Sequence, residues 1–281
     1  MLKEGFFIYN GKFIPTEESV ITPDNRSFRY GDGFFETMLC NKGHINFWEF
    51  HKDRINDSIS RLHFDKANLF SADNLLFLIN KLIHKNKIKG TARVRINFFR
   101  GDGGLFDPAN NHINYIIQTW AIQSTFHIYN ENGLDIDFFP DGRKACDSFS
   151  HIKSNNYLTY AMAAFWAKEK KLNDAIVLNQ HNRVSDTTIA NLFIVNKKGS
   201  ILTPKLSEGC INGIMRRHIL EHSGRDILEA EITQQDIMNA SEVFLTNTIK
   251  GIMWVENIGS KKLTNTVSKA IFMQLNLPQY A

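Results

Sequence analysis

Phe34-Phe35-Glu36-Thr37-Met38-Leu39-Cys40-Asn41-Lys42-Gly43-His44-Ile45-Asn46-Phe47-Trp48 is the stretch in which the chain changes its structural period. Residues 34–40 and 44–47 flank Asn41-Lys42-Gly43 and read as a hairpin. From Trp48 the spacing changes, and Phe50, Ile55, Ile59 and Leu62 fit one stripe of a helix. Upstream, residues 6–9 and 12–14 alternate around Asn10-Gly11, the residue pair that closes the tightest hairpins. Downstream, a helix over residues 73–84 precedes strands over 91–99 and 113–119. In the first of these strands Ala92, Val94, Ile96 and Phe98 face one side, and Arg93, Arg95 and Asn97 face the other.

Between residues 122 and 150 the pattern weakens, and the crossing between domains is expected there, with a domain over 1–121 and another over 122–281. Leu158, Ala161, Met162, Phe165, Trp166 and Leu172 then mark a helix of about four turns. Strands over 175–178, 192–195 and 200–203 follow. A helix opens near Gly213 and stops before Ser223-Gly224. A strand over 227–232, a short helix after Thr233, a strand over 243–246 and a C-terminal helix complete the reading. Strands and helices in mixed order, with several hairpins, predict an α+β fold rather than a doubly wound sheet.

Composition excludes several classes. The formal charge is +4, and the basic residues are scattered rather than striped, so no nucleic-acid partner is expected. No apolar run approaches the roughly 20 residues of a membrane helix. The N-terminus, Met1-Leu2-Lys3-Glu4-Gly5, has no signal-peptide core. Cys40, Cys146 and Cys210 lack metal-ligand spacing, so no metal is expected. Reduced thiols in a cytoplasm are the simplest reading, with Cys210 a buried bystander.

Several places could carry chemistry. Lys153 stands before a helix expected to open at Ser154-Asn155-Asn156-Tyr157, where the helix dipole would favour the neutral amine that Schiff-base chemistry requires; taken alone it is an ordinary solvated lysine. Gly213-Ile214-Met215 opens a helix whose free amides could receive a phosphate. Thr246-Asn247-Thr248 could add hydroxyls to the same anion or simply cap a turn, and Arg54 could add charge or sit in an exposed ion pair. Asp186 is either a turn aspartate bonding its own backbone or a carboxylate that keeps a pyridine nitrogen protonated. Arg93, Arg95 and Arg100 are candidates for a substrate carboxylate, with solvated arginines the plainer reading.

Lys153-Ser154-Asn155-Asn156-Tyr157-Leu158, Asp174-Ala175-Ile176-Val177-Leu178, Val184-Ser185-Asp186 with Asn191-Leu192-Phe193, Thr203-Pro204 and Asn212-Gly213-Ile214-Met215-Arg216 follow one another in the order seen in class IV aminotransferases. So do Tyr30-Gly31-Asp32-Gly33-Phe34-Phe35-Glu36-Thr37 and, after it, His51 with Arg54. Each segment is a weak signal, and their ordered combination is specific. The chain thus resembles this family, which includes branched-chain and D-amino acid aminotransferases and aminodeoxychorismate lyase. The resemblance implies a fold type IV pyridoxal-phosphate enzyme: a smaller N-terminal α/β domain, a larger C-terminal domain, the cofactor between them, a homodimer, and a small amino or keto acid substrate.

Carried over residue by residue, it implies that Lys153 is the Schiff-base lysine and proton shuttle. Arg54, the amides of Ile214 and Met215 after Gly213, and Thr248 would clamp the phosphate. Ile211 would pack on the pyridine ring, Asp186 would pair with its nitrogen, and Tyr157 would lie near the cofactor. Asp186 departs from the glutamate usual there, and Met215 from a common threonine. Aminodeoxychorismate lyases share that methionine, and a threonine in place of Thr37, whereas Glu36 is more like the aminotransferases. An aminotransferase is the leading expectation, the lyase the alternative, and a non-catalytic cofactor-binding scaffold the third reading.

Overall fold

The computed structural model describes residues 5–65, 71–106 and 111–275. The chain divides into two units, one running through Ser124 with Ile152–Asn156, the other holding Thr125–His151 and the chain from Tyr157 onward.

The first unit holds strands β1 (Phe6–Tyr9) and β2 (Lys12–Pro15), a short helix α1 (Arg26–Tyr30), strands β3 (Gly33–Asn41) and β4 (His44–Ile45), helices α2 (Trp48–Arg61) and α3 (Ala72–Lys85), and strands β5 (Thr91–Phe99) and β6 (Asn114–Ala121). Its six strands form one sheet in the order β2-β1-β6-β5-β3-β4, with every pairing antiparallel. The two expected hairpins are present, and their turns place Asn10, Gly11, Lys42 and Gly43 at positive φ, the backbone that a two-residue turn matching strand twist needs. Phe34, Met38, Val94, Ile96 and Phe98 form the core with Ile55 and Ile59 of α2 and Ile79 and Leu82 of α3. The other face of β5 carries Arg93, Arg95 and Asn97, as the alternation predicts. α1 is a helix that the sequence reading passes over; Asn25 caps it, accepting from the amides of Ser27 and Phe28.

β3 has β5 along its length, whereas β4 pairs only with its far end, Cys40 and Asn41. The open edge at its start is covered by residues 153–155: Phe35 N–H donates to Lys153 O at 2.9 Å, and Asn155 N–H donates to Gly33 O at 2.9 Å. Those groups would otherwise be unpaired.

The second unit holds β7 (Leu134–Lys144), α4 (Leu158–Glu169), β8 (Asp174–Asn179), β9 (Val184–Thr187), β10 (Asn191–Val195), β11 (Ile201–Pro204), α5 (Ile214–His222), β12 (Ile227–Ala230), α6 (Gln234–Asn239), β13 (Glu242–Asn247), β14 (Gly251–Ile258), β15 (Lys261–Lys262) and α7 (Thr266–Gln274). Its sheet runs β12-β11-β10-β13-β14-β7-β8-β9, with β15 beside β14. The sheet is mixed: β11–β12, β14–β7 and β7–β8 are parallel. Two sheets and interspersed helices are the expected α+β class. β7 lies in the stretch where the sequence pattern is weak, and β9 and β14 are absent from the strands expected from sequence. β7 and β14 carry register shifts, which break the alternation by which a strand is recognised. No helix among the described residues is long and apolar enough to cross a membrane.

Gly33 is the tightest point of the first sheet. A Cβ there would lie 2.2 Å from Phe98 O and 2.7 Å from Asn155 Nδ2. Gly33→Ala is therefore expected to lower stability by about 2 kcal/mol through overpacking, measured as a drop in the urea midpoint; an unchanged midpoint contradicts this packing.

Candidate active site

In the first unit, Lys153 lies on the segment that edges β3, five residues before α4 begins. The expectation that a helix opens at Ser154 is not met, and the dipole of α4 acts only within its own first turn. The lysine is instead placed by main-chain pairing, with Ser154 bridged to Phe34. Its Nζ stands 4.6 Å from the centroid of the Phe35 ring, which also receives the Arg95 guanidinium at 3.8 Å. Thr37 is two residues along β3 on the same face as Phe35, directly across from Arg95.

Glu36 points to the opposite, helix-covered face. Arg54 of α2 grips it with two bonds, Nε to Oε1 and Nη2 to Oε2, both 2.7 Å. Arg54 is thus buried and not the exposed pair considered from sequence. His51, one turn earlier on α2 and fully buried, places Nδ1 2.7 Å from Glu36 Oε2. Burial alone would raise the Glu36 carboxyl, but Arg54 and His51 bring it down to about 2. Burial lowers the His51 pKa in turn, with Glu36 opposing. The neutral ring thus donates from Nδ1, and its buried Nε2 meets no protein partner among the described residues. Glu36 carries a visible signal, a charge at a core-facing strand position between Phe34 and Met38.

The remaining arginine candidates separate. Arg100 is committed to the fold, donating to Asp32 Oδ1 at 2.6 Å, Asn111 Oδ1 at 3.1 Å and His63 O at 3.1 Å. Arg93 lies over Trp120, and Arg95 donates to Asn97 Oδ1 at 3.0 Å.

In the second unit, Asp186 sits in β9, opposite Val177 of β8, and is 2 % exposed. The turn reading fails: its partners come from distant segments. Tyr160 Oη donates to Oδ1 at 2.9 Å and Oδ2 at 2.8 Å, and Ile211 N–H donates to Oδ2 at 3.0 Å. Lys144 Nζ is 3.7 Å from Oδ2 and donates to the Tyr160 oxygen. β9 is further anchored by Asp174, whose carboxylate accepts from Thr187 Oγ1 at 2.8 Å, Thr188 Oγ1 at 2.6 Å and Thr188 N–H at 3.0 Å. Tyr160 and Lys144 carry no motif, and Lys144 closes a strand that is itself hard to read.

α5 starts at Gly213 without a side-chain cap. The amides of Ile214 and Met215 meet no protein acceptor among the described residues. Gly213 is required there, because a Cβ would fall 1.8 Å from Asn191 Oδ1. Asn191 is fixed in turn, donating from Nδ2 to Ile211 O at 2.8 Å. Arg216 anchors the helix by donating to Pro204 O at 2.9 Å. Thr246 presents a buried Oγ1 without a protein partner among the described residues; Thr248, two residues on, is also buried. Uncapped amides with a buried, unpartnered hydroxyl in the same unit suit an anion such as phosphate. Ile211 packs with Phe139, Tyr160 and Val177. Tyr157 donates its hydroxyl to Thr188 O at 3.0 Å, and its ring lies 4.4 Å from that of Tyr160. Cys210 is buried, and burial pushes its thiol up to about 12, so it is inert. No metal-binding group of three or more ligands occurs among the described residues.

Residues 33–258 match the family described as Amino-transferase class IV. The chain is 26% identical over 241 residues to an aminodeoxychorismate lyase from Vibrio harveyi, covering 84% of this chain and 86% of that protein. It is 25% identical over 272 residues to a D-alanine aminotransferase from Bacillus licheniformis, covering 91% and 89%. The fold matches the branched-chain amino acid aminotransferase of Escherichia coli with a TM-score of 0.85 at 24% identity, over 96% of this chain and 92% of that one.

The carboxyl of Glu36 is held below its unfolded value, so its contribution is full above 4.5 and is lost as pH falls toward 2. Glu36→Gln leaves Arg54 buried without its counter-charge and is expected to cost roughly 3 kcal/mol at neutral pH. Urea midpoints should show that gap narrowing as pH drops below 4.5; a gap that does not vary with pH contradicts the assignment.

Proposed function

This chain belongs to the class IV amino-transferases, and on that footing we propose that it is a pyridoxal-phosphate-dependent aminotransferase acting on an α-amino acid and α-keto acid pair, with branched-chain amino acids among its candidate substrates. The observation that carries the cofactor reading is the uncapped start of α5, where Gly213 leaves no room for a side chain and two amides stand ready for a phosphate. The bound cofactor supplies an electron-accepting ring that stabilises charge developing at the substrate α-carbon.

The chain's own residues do the rest. Lys153 would hold the cofactor covalently through Nζ; once the amine of the substrate displaces it from that bond, the freed Nζ would take the substrate's α-proton and return it during transfer. Asp186 holds the proton on the ring nitrogen. Ile211 supplies an aliphatic face for the ring, with Tyr157 nearby. The amides of Ile214 and Met215, Thr248 and Arg54 hold the phosphate. For Arg54, Glu36 and His51 fix the guanidinium before any ligand arrives, which reduces the ordering cost of binding. Arg95, across from Thr37, is the arginine best placed on the polar face of β5 for a substrate carboxylate.

The second reading is aminodeoxychorismate lyase, in which deprotonation by Lys153 is followed by loss of pyruvate, leaving 4-aminobenzoate. Met215 and Thr37 favour it, as does the similarity to the Vibrio harveyi protein. Nothing in the site's composition favours the non-catalytic scaffold: Asp186, the residue that raised it, is a buried carboxylate held in place by Tyr160 and the Ile211 amide.

A homodimer is also proposed. α4 buries Tyr160, Ala163 and Ala167 on one side and exposes Leu158, Met162 and Phe165 on the other, an apolar stripe at helical spacing. A helix that is apolar all round needs a partner on both faces. A monomeric mass in light scattering contradicts this. The three unbridged cysteines fit a cytoplasmic setting.

The activity test uses the purified holoenzyme with a panel of L- and D-amino acids and keto acids, and separately with aminodeoxychorismate. Keto acid formation that depends on an amino acceptor is expected; 4-aminobenzoate and pyruvate formed without an acceptor would instead establish the lyase. Lys153→Ala should reduce turnover by roughly a thousandfold, and activity retained in that variant contradicts its role.

A further inference from the structure

Asp186 has the shortest acidic side chain available, and three other segments converge on it. Tyr160 from α4 spans both of its oxygens at 2.9 and 2.8 Å, Ile211 N–H reaches Oδ2 at 3.0 Å, and Lys144 at the end of β7 lies 3.7 Å from the same oxygen. Lys144 also donates to the Tyr160 hydroxyl. Tyr160 and Asp186 are both buried.

The hydroxyl has one proton to give, and its direction is settled. Burial, then the neighbouring charge of Asp186, raises the Tyr160 pKa well above its usual value, so the phenol keeps its proton. Lys144 is a donor only. The phenol oxygen therefore accepts from Lys144 while its proton goes to the carboxylate. A hydrogen bond shared between both carboxylate oxygens fixes the rotation of that group about its Cβ–Cγ bond, which a single bond to one oxygen leaves free. It leaves the unshared lone pair of Oδ1 as the remaining acceptor, because Oδ2 also receives Ile211 and faces Lys144.

We propose that Tyr160, braced by Lys144, is a positioning residue that fixes the short carboxylate of Asp186 so that one oxygen meets the ring nitrogen of the cofactor. This rests on the reading of Asp186 as the partner of that nitrogen. Tyr160 touches neither substrate nor reacting atoms; it acts through Asp186. Its ring also packs at 4.4 Å against Tyr157, and Tyr160→Phe keeps that packing while removing only the hydroxyl.

The test is ligand binding, with no turnover required. Dissociation constants are measured for pyridoxal phosphate and for its 1-deaza analogue, in which carbon replaces the ring nitrogen. The two compounds share the phosphate and aldehyde, so their ratio isolates the contact with Asp186. The unmodified protein should prefer pyridoxal phosphate by about tenfold, the worth of one charge-assisted hydrogen bond. Tyr160→Phe should bring that preference to about threefold or less while leaving phosphate-dependent affinity for the analogue unchanged. Asp186→Asn should remove the preference in the same way.

Should Tyr160→Phe fail to fold, Lys144→Met leaves the phenol in place and should reduce the preference in the same direction. An undiminished preference in Tyr160→Phe, or in Lys144→Met where that variant carries the test, overturns the inference alone. Equal affinities in the unmodified protein overturn it as well. A protein that binds neither compound overturns the cofactor reading and this inference with it.

Discussion

The open edge at the start of β3 is the constraint from which the first unit's chemistry follows. Gly33 and Phe35 present main-chain groups that no strand satisfies, and residues 153–155 fill that edge with two 2.9 Å hydrogen bonds. Main-chain pairing has a fixed register, so it places Lys153 beside Phe35 without relying on any side chain. A side chain on Gly33 would push this segment away. The lysine can therefore be long and mobile at its tip while its Cα is held as firmly as a strand residue.

Buried carboxylates organise both units by the same logic. Glu36, Asp174 and Asp186 each lie in the interior and each collect donors from elsewhere in the chain. Desolvating a charge is expensive unless every lone pair finds a donor, and breaking one partner leaves the other uncompensated. Such groups therefore select a single arrangement of the segments around them. Glu36 orients Arg54, Asp174 fixes the end of β9, and Asp186 is fixed in turn by Tyr160 and Ile211. The start of α5 shows the opposite condition, amides left without protein partners among the described residues, and the proposed phosphate contact rests on them.

Much of this was legible in the sequence. The hairpin turns at Asn10-Gly11 and Lys42-Gly43, the period change at Trp48 and the polar face of β5 are local features, and local features survive folding. The family was legible from ordered segments spanning most of the chain, and residues 33–258 match it. β7 and β14 were not: irregular register breaks the alternation in both, and β14 is also buried on both sides over most of its length. The stripe that marks α4 divides, with Leu158, Met162 and Phe165 exposed and Trp166 and Leu172 packed against the core, and the buried Tyr160 beside it gave no sign of its role. The helix expected at Ser154 begins four residues later, because residues 153–155 are drawn into pairing with β3. Partners such as Lys144, Tyr160 and Asp186 are separated along the chain and meet only through tertiary structure, so no spacing rule finds them.

We propose that the amine of Lys153, and no other, forms the covalent bond to the cofactor. Borohydride reduction of the purified, cofactor-loaded protein makes that bond permanent, and peptide mass mapping then locates it. A phosphopyridoxyl group on the peptide containing Lys153, and on no other, is the predicted result. The same mass on a different lysine, or no modified peptide from a protein loaded with cofactor, would rule out Lys153 as the point of attachment.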